Sequence, residues 1–454
     1  MSKPGHRAGT LARVSLLTVT VVGTMSNNII NVPLRTIAKD FHQPVATAVL
    51  CVIAFSLFLA VMMPLTGWLG DRFGRKRILC GALVLMGVAQ LASALAPNLP
   101  FLIFTRGLQG LGCSAIPPIV MGLLVYLYPA ERSRMMGAWA AANGIGQAAG
   151  PPVGGIVSDL FGWRSIFFMM AAASFVVLLV ILRQVPSPPP LYSRLHRRGA
   201  FLLTTGVGLV LVGTTGVSQA AVPYWIDGTS VVVGCVLLLG FGLVSRGNPR
   251  ALIPIHYIFE SRFARSAVAA FAQMFTLGTV LVAIPLFLTG PLGLSTSFAG
   301  ALFFALPLTM AVMAPFVGRL ADAVSPRPVL RAGLLVIIAG SASTAWSATS
   351  GSPSLIVTSV LLIALGGGMA LVQTPAATGA VRSPAGAQGA ALGLFNLLRF
   401  SGSTAGAAWV ALLIPRGGAL VMFAGCAVVA AIALALSFAG PNPVPVLAQR
   451  TASP

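Results

Sequence analysis

The sequence predicts an all-α integral membrane protein, on three observations: its composition, the length of its apolar runs, and where its charges fall. Hydrophobic residues make up 57% of the 454 and charged residues only 8%, against about 25% charged in an ordinary soluble domain. Mean hydropathy is +0.94. Apolar runs recur from end to end, each about 20 residues long, which is the length an α-helix needs to cross a bilayer. Transmembrane β-strands would be about half as long and would alternate in polarity, which these runs do not.

Taken in order, the runs predict fourteen transmembrane helices: 12–33, 46–69, 77–96, 100–126, 136–158, 163–183, 199–218, 229–245, 264–289, 296–320, 328–348, 354–379, 387–414 and 418–439. Lys3, Arg7 and Arg13 before the first run imitate a signal peptide. That run continues to Pro33 without a small-residue cleavage site, so it is assigned as the first membrane helix.

The formal net charge of +21 would suit a nucleic-acid partner, but the basic residues flank apolar helices instead of forming a patch on a soluble domain. An even number of helices puts both termini on one side. Twenty-two of the 28 Lys and Arg residues fall on that side, and only Arg35, Lys39, Arg164 and Arg416 on the other. By the positive-inside rule both termini are expected in the cytoplasm. Arg106 and Arg399 remain, both inside predicted helices.

Two longer loops, Pro186 to Arg198 and Gly247 to Arg262, bracket the seventh and eighth helices and divide the chain as six plus two plus six. The expected units are an N-terminal bundle over 1–185, a central segment over 186–262 and a C-terminal bundle over 263–440. A proline-rich tail over 441–454 is expected to be disordered. A repeat supports the division. Gly318-Arg319-Leu320-Ala321-Asp322 echoes Gly67-Trp68-Leu69-Gly70-Asp71, each followed by bases and each placed between the second and third helices of its half. Paired halves of this kind place a substrate site between them near the bilayer midplane.

The stretch from Gly67 to Ile78 packs five charges into a short connection between apolar runs, so it must lie at a water interface. Gly67 and Gly74 suit a tight connection, and Asp71 suits a basic neighbour or a helix N-terminus. On charge alone, a purely topogenic loop fits equally well. Arg106 and Gln109 lie in the fourth helix, where a central guanidinium costs at least about 2.5 kcal/mol. Arg106 follows the helix start near Pro100 by only six residues, so snorkelling to the interface is the alternative to a functional role. In the fifth helix Gly146, Gly150 and Gly154 share one face beside Pro151 and Gly155, a pattern for close helix packing with a bend. Asn396 and Arg399 are neighbours on the thirteenth helix. Arg399 lies about 18 Å from that helix's expected cytoplasmic end, at 1.5 Å per residue. Asn28 and Asn31 share a face of the first helix, where amides either bind substrate or join helices.

Together these residues resemble the signatures of the major facilitator superfamily, and in particular its fourteen-helix drug:proton antiporter branch. The match at Gly67, Leu69, Asp71, Arg72, Gly74, Arg75 and Lys76 resembles the cytoplasmic signature loop of the superfamily. The resemblance implies that this loop gates the outward-facing state, with Asp322 as its echo in the second half. Arg106 to Gly112 resembles the second signature, whose arginine lines the cavity and takes part in proton transfer. Gly146, Gly150, Pro151, Gly154 and Gly155 resemble the antiporter signature, which implies a conformational hinge and export. The residues around Asn396 and Arg399 resemble the corresponding helix of the fourteen-helix antiporters.

Met25 to Val32 resembles the first-helix signature of that branch, except that Ser26 stands where those proteins carry an embedded aspartate. The seven acids and four histidines all fall away from predicted helix centres. Proton coupling is therefore implied by the resemblance and unsupported by titratable residues of this chain. Two intramembrane arginines without an intramembrane acid leave the path net positive, which favours neutral or anionic amphiphiles.

The expected function is alternating-access export of small amphipathic compounds across the cytoplasmic membrane of a bacterium. The path would be lined by Ser26, Asn28, Asn31, Arg106, Gln109, Asn396 and Arg399. The alternatives are an uptake carrier or facilitator for a small organic anion, without proton antiport, and a transport-dead membrane sensor. The expected partners are a small molecule, protons and the lipid bilayer, with a monomeric chain and no nucleic acid. No cofactor or metal is expected, because Cys51, Cys80, Cys113, Cys235 and Cys426 all lie in apolar runs without ligand spacing. No nucleophile, paired carboxylates or metal cluster marks an enzyme.

Overall fold

Among the described residues, the computed structural model holds seventeen α-helices, two short 3-10 turns and no strand. It describes residues 9–190, 196–216, 224–246, 248, 251, 253–289, 296–349, 355–413 and 419–440. The tail expected to be disordered, 441–454, lies outside them.

The first group comprises α1 (Thr10–Asn28), α2 (Leu34–Asp40), α3 (Val45–Phe73), α4 (Arg75–Ala94), α5 (Leu99–Cys113), α6 (Ile116–Leu127), α7 (Arg132–Phe161) and α8 (Trp163–Gln184). α9 (Arg197–Gly216) and α10 (Tyr224–Ser245) pack on each other, and the four-residue α11 (Ile255–Ile258) follows. The second group is α12 (Ser261–Thr289), α13 (Thr296–Ala323), α14 (Pro326–Thr349), α15 (Leu355–Arg382), α16 (Gly389–Leu413) and α17 (Ala419–Leu436). α7 packs on α13, and α3 packs on α16, so these two pairs join the groups. Nine helices, among the described residues, are long and apolar enough to cross a membrane.

Three local features depart from the expected spans. The signature stretch is helical on both sides of a single residue, Gly74, whose φ of +100° turns α3 directly into α4. A left-handed backbone of this kind favours glycine. Asp71 thus belongs to the last turn of α3 and Arg75 opens α4, so there is no loop between them. The helix expected over 100–126 breaks into α5 and α6 at Ser114–Ala115. Pro117 and Pro118 there lack the amide hydrogens that would continue the α5 ladder. The run 12–33 ends at Asn28 and is followed by the short α2, which hydropathy alone does not separate.

Glycine sets the closest helix contacts. A Cβ added at Gly154 of α7 would collide with the Ile29 carbonyl oxygen just past α1, and one at Gly146 would sit 2.7 Å from Val21 O. A Cβ added at Gly150 would lie 3.1 Å from Asn28 Cβ, and one at Gly155 3.3 Å from Val32 Cγ1. The expected small-residue face is therefore the face on which α1 and α7 meet. α7 itself runs unbroken through Pro151 and Pro152.

Away from Gly74, α2 is clasped to α8. Asp40 accepts hydrogen bonds from Arg164 Nη1 and from Trp163 Nε1, the latter at 3.1 Å. The Arg164 bond first, and the Trp163 bond second, hold the Asp40 carboxyl below its ordinary value of 3.8. A depressed carboxyl contributes stability that is present above the unfolded value, about 3.9, and is lost as pH falls through the folded one. Asp40→Asn should therefore lower the unfolding temperature slightly at pH 7, since exposed pairs contribute about 0–1 kcal/mol. The difference from the parent protein should vanish in acid, and a difference unchanged down to pH 2 would refute this account. Gly154→Val should cost about 1–3 kcal/mol by overpacking, read as loss of monodisperse yield and unfolding temperature in detergent. Gly81→Ala, with nothing within 4 Å of the added Cβ, should leave both unchanged.

Candidate functional site

A cavity of about 930 Å³, counting the solvent at its mouth, lies between the two groups. α1 and the turn after it contribute Thr24, Asn27, Asn28 and Asn31, and α3 and α7 add Ser56, Gln147 and Pro151. The opposite wall is Met274 and Leu277 of α12 with Phe400, Ser403 and Thr404 of α16. None of the described lining residues is charged. The amides are partly held in place: Ser56 Oγ donates to Asn27 Oδ1 at 3.3 Å, Asn28 Nδ2 donates to Thr24 O at 3.2 Å, and Thr24 Oγ1 donates to Asn143 Oδ1 at 3.1 Å.

Of the residues expected to line the path, Asn28 and Asn31 do so, while the other five sit behind the wall. Ser26, Arg106 and Gln109 form a buried network inside the first group. Arg106 Nη1 donates to Ser26 O at 3.0 Å and to Gln109 Oε1 at 2.9 Å, and its Nε donates to Cys51 O at 3.4 Å. Its guanidinium carbon lies 4.3 Å from the centre of the Phe55 ring. Arg106 is 0% exposed, which rules out snorkelling. Its Nη2 has no hydrogen-bond partner among the described residues. Gln90 Nε2 donates to Ser26 Oγ at 3.0 Å, so a glutamine and a serine occupy the space beside this guanidinium.

Asn396 and Arg399 sit on α16 between the cavity and the helix start at Gly389. Asn396 Nδ2 donates to Leu392 O and approaches Met121 Sδ, and Arg399 Nη1 donates weakly to Asn396 Oδ1 at 3.4 Å. Arg399 is 1% exposed and lies against Trp139 and Phe400, 5.1 and 5.0 Å from their ring centres. Its Nε and Nη2, and Trp139 Nε1, have no hydrogen-bond partner among the described residues. Phe400, against which Arg399 lies, lines the cavity, and Arg399 does not.

The end of the molecule at Gly74 is closed by two latches. Asp71, 5% exposed, accepts from Arg75 Nε and Nη2 at 3.2 and 3.0 Å and from the Gly389 amide, the first of α16. Arg75 Nη2 also donates to Ala387 O at 3.0 Å. A carboxylate at a helix N-terminus is favoured by the partial positive charge there. Gly67 and Gly389 let the backbones of α3 and α16 touch, since a Cβ on either would overlap the other's carbonyl oxygen. In the second latch, Arg382 Nη2 donates to Asp322 Oδ1 at 3.3 Å and to Ser133 Oγ of α7 at 2.9 Å. Beside it, a Cβ on Gly137 would lie 2.8 Å from Ala314 O. Ser403, on the cavity wall, is about 21 Å along α16 from Gly389 at 1.5 Å per residue, so the cavity lies well away from the latched end.

Sequence reading found Asp71, Arg75 and Asp322 but missed their counterparts Gly389, Ala387, Arg382 and Ser133, which come from distant segments. It also missed Gln147, Phe400 and Ser403, which carry no charge to draw the eye. Among the described residues no group of three or more His, Cys, Asp or Glu lies together to hold a metal.

Two helical groups, latched at one end around a shared uncharged cavity, define a membrane carrier. The chain belongs to the Major Facilitator Superfamily, whose sequence profile matches residues 14–407 and, in a second match, 266–453. It is therefore a multi-pass membrane transporter and not an enzyme. Multidrug resistance protein Stp of Mycobacterium tuberculosis is 28% identical over 87% of this chain and 75% of its own. The uncharacterized transporter YebQ of Escherichia coli is 27% identical over 93% of this chain and 94% of its own. A putative multidrug resistance protein, MdtD of Klebsiella pneumoniae, is 28% identical over 72% and 70%. Among solved structures, the human organic anion transporter MFSD10 superposes with a TM-score of 0.69 at 18% identity, covering 96% of this chain and 100% of that one. The proton:xylose symporter XylE gives 0.68 at 14%, covering 94% of each.

The latch makes a prediction. Asp71→Asn removes the charge shared by Arg75 and the α16 N-terminus, and charge-assisted bonds are worth about 1.5–3 kcal/mol. The closed arrangement should lose about tenfold or more in population, at about 1.4 kcal/mol per decade. Reagents applied from the latched end should then label Ala390→Cys, at a position 2% exposed beside the latch, faster in the Asp71→Asn background than in the parent, and equal rates would contradict the latch.

Proposed function

We propose that this chain is an alternating-access exporter of small neutral or anionic amphiphiles in the cytoplasmic membrane of a bacterium. The reading takes it as fourteen spans in a six plus two plus six arrangement, both termini in the cytoplasm, with units over 1–185, 186–262 and 263–440. Long helices over all fourteen expected stretches support this topology, with α5 and α6 counted together. So does the excess of basic residues on one side. The observation that carries the cargo class is the cavity wall: amides, hydroxyls and apolar side chains with no carboxylate among the described lining residues. A lipophilic cation would find no counter-charge there.

Asp71, Arg72, Arg75 and Asp322 act as cytoplasmic gates in this reading, with Gly67 and Gly74 providing the close approach and the turn. The face made by Gly146, Gly150, Pro151, Gly154 and Gly155 is the surface on which α7 shifts against α1. Asn28 and Asn31 contact substrate from the outer side. Arg399 and Asn396 lie between the cavity and the latch, so opening the latched end would uncover them to a negatively charged group. Arg106 and Gln109 support the α1 wall from behind. The multidrug resistance names of Stp and MdtD support efflux, and the organic anion transporter name of MFSD10 agrees in charge class.

Proton drive is inherited from the drug:proton antiporter resemblance. The second reading, a carrier for organic anions without proton antiport, is favoured by Ser26, a hydroxyl in the position of the branch's embedded acid. The purified chain in proteoliposomes with an imposed pH gradient separates the two. Antiport requires substrate flux that follows the gradient with matching proton release, and flux indifferent to the gradient leaves only the second reading. Ser26→Asp places a carboxylate in the Arg106 network and is expected to add or steepen gradient dependence. Transport confined to quaternary ammonium dyes would overturn the proposed cargo class.

A further inference from the structure

A second cavity lies wholly within the α12–α17 group, at the same end as the latches and apart from the path between the groups. It measures about 570 Å³, counting the solvent at its mouth. Arg262, Arg265, Arg327 and Arg382 line it, together with the hydroxyl-bearing Ser266 and Ser437. Arg331 stands next to it, donating to Ser437 Oγ at 3.1 Å. No carboxylate lines the cavity. Two acids stand close by without lining it, and each offsets part of the charge of a lining arginine. Glu260 accepts from the backbone amides of Arg262 and Phe263 at 3.0 and 2.9 Å, and Asp322 pairs with Arg382 on the latch side.

Part of this basic cluster has a structural task. Arg327 donates to the carbonyls of Ser437 and Phe438 at 2.9 and 2.7 Å, and Arg265 donates to that of Ala439. These bonds hold the end of α17, whose exposed carbonyls favour cations. That task accounts for three arginines, since Arg331 also donates to the Ser437 carbonyl at 3.2 Å and lies over the Phe438 ring. It leaves Arg262 of α12 without such a task, and Arg262 shares the hollow with Arg382 of the second latch.

We propose that this cavity is a binding site for an anionic phosphate group. Guanidinium forks match phosphate oxygens bidentately, and several of them around one hollow suit a multiply charged oxyanion better than a single carboxylate. Two sources share this chemistry: free phosphate in solution, and the headgroup of an anionic phospholipid, for which basic pockets between membrane helices are a known kind of seat. Because Arg382 also holds Asp322 and Ser133, the occupant sits against the second latch.

The test uses the full chain, purified in detergent and in nanodiscs. In detergent, inorganic phosphate at constant ionic strength, with chloride as the balancing anion, should raise the unfolding temperature saturably. In nanodiscs of phosphatidylcholine with phosphatidylglycerol, native mass spectrometry should find phosphatidylglycerol retained on the protein. Arg262→Gln with Arg265→Gln should weaken whichever signal is present by about tenfold or more, at about 1.4 kcal/mol per decade. Arg262→Lys should weaken it less, and Lys39→Gln, on the far end, should leave it unchanged. A response to phosphate identifies the free ion as occupant, and retention of phosphatidylglycerol without one identifies the lipid. Absence of both in the unmutated chain overturns the proposal whether or not the variants fold, as does equal weakening by Lys39→Gln. None of these readouts depends on transported cargo, so the site stands or falls apart from the export reading.

Discussion

The structure turns on one carboxylate. Asp71 lies at the end of α3, and its oxygens are shared between Arg75 and the first amide of α16. A buried acid loses several kcal/mol of hydration, which only good partners restore, and its partners here come from both groups of helices. The contact exists because Gly67 and Gly389 allow backbone to meet backbone; a Cβ on Gly389 would also come within 3.0 Å of Asp71 Oδ1. Polar bonds near the membrane surface can be exchanged for bonds to water at modest net cost, whereas a packed apolar contact in their place would be harder to release. On the alternating-access reading this end opens and reseals, and such a joint suits that task.

The same economy of charge runs through the chain. Of its seven acids, Asp40, Asp71, Glu131 and Asp322 each pair with an arginine, and Glu260 receives backbone amides at the start of α12. Among the described residues no acid is paired with Arg106 or Arg399. Both rest instead on carbonyl or amide oxygens and aromatic faces, interactions that offset part of the desolvation of a guanidinium without neutralising it.

How much of this was legible in the sequence depends on the range of the interaction. Hydropathy reads lipid contact, so it located the helices but stopped short of their polar ends, and it missed that Asp71 belongs to a helix. Proline chemistry at Pro117 and Pro118 was present in the sequence, yet a continuous apolar run concealed the break between α5 and α6. Glycine spacing is local and puts Gly146, Gly150 and Gly154 on one face of α7, while the identity of the helix that face packs on is not local. The latch partners Gly389 and Arg382 are more than 300 and 200 residues from Asp71 and Ser133, and only the fold brings them together. The buried placement of Arg106 was undecidable from its distance to a helix end, since snorkelling and burial need the same spacing.

Arg399 shows why burial and function are compatible in a carrier. On the export reading it is shielded in the latched state, 1% exposed against Trp139 and the cavity-lining Phe400. Two of its nitrogens have no hydrogen-bond partner among the described residues, so this state carries a cost that an arriving anion would relieve. Because Arg399 lies on the latch side of the cavity, relief comes only when that end opens. A cargo with a negative group would then stabilise the opened state over the latched one, and a ligand shifts an equilibrium only by such a difference in affinity. Cargo without that group would gain nothing from Arg399, and its capture would rest on the amides and apolar wall alone.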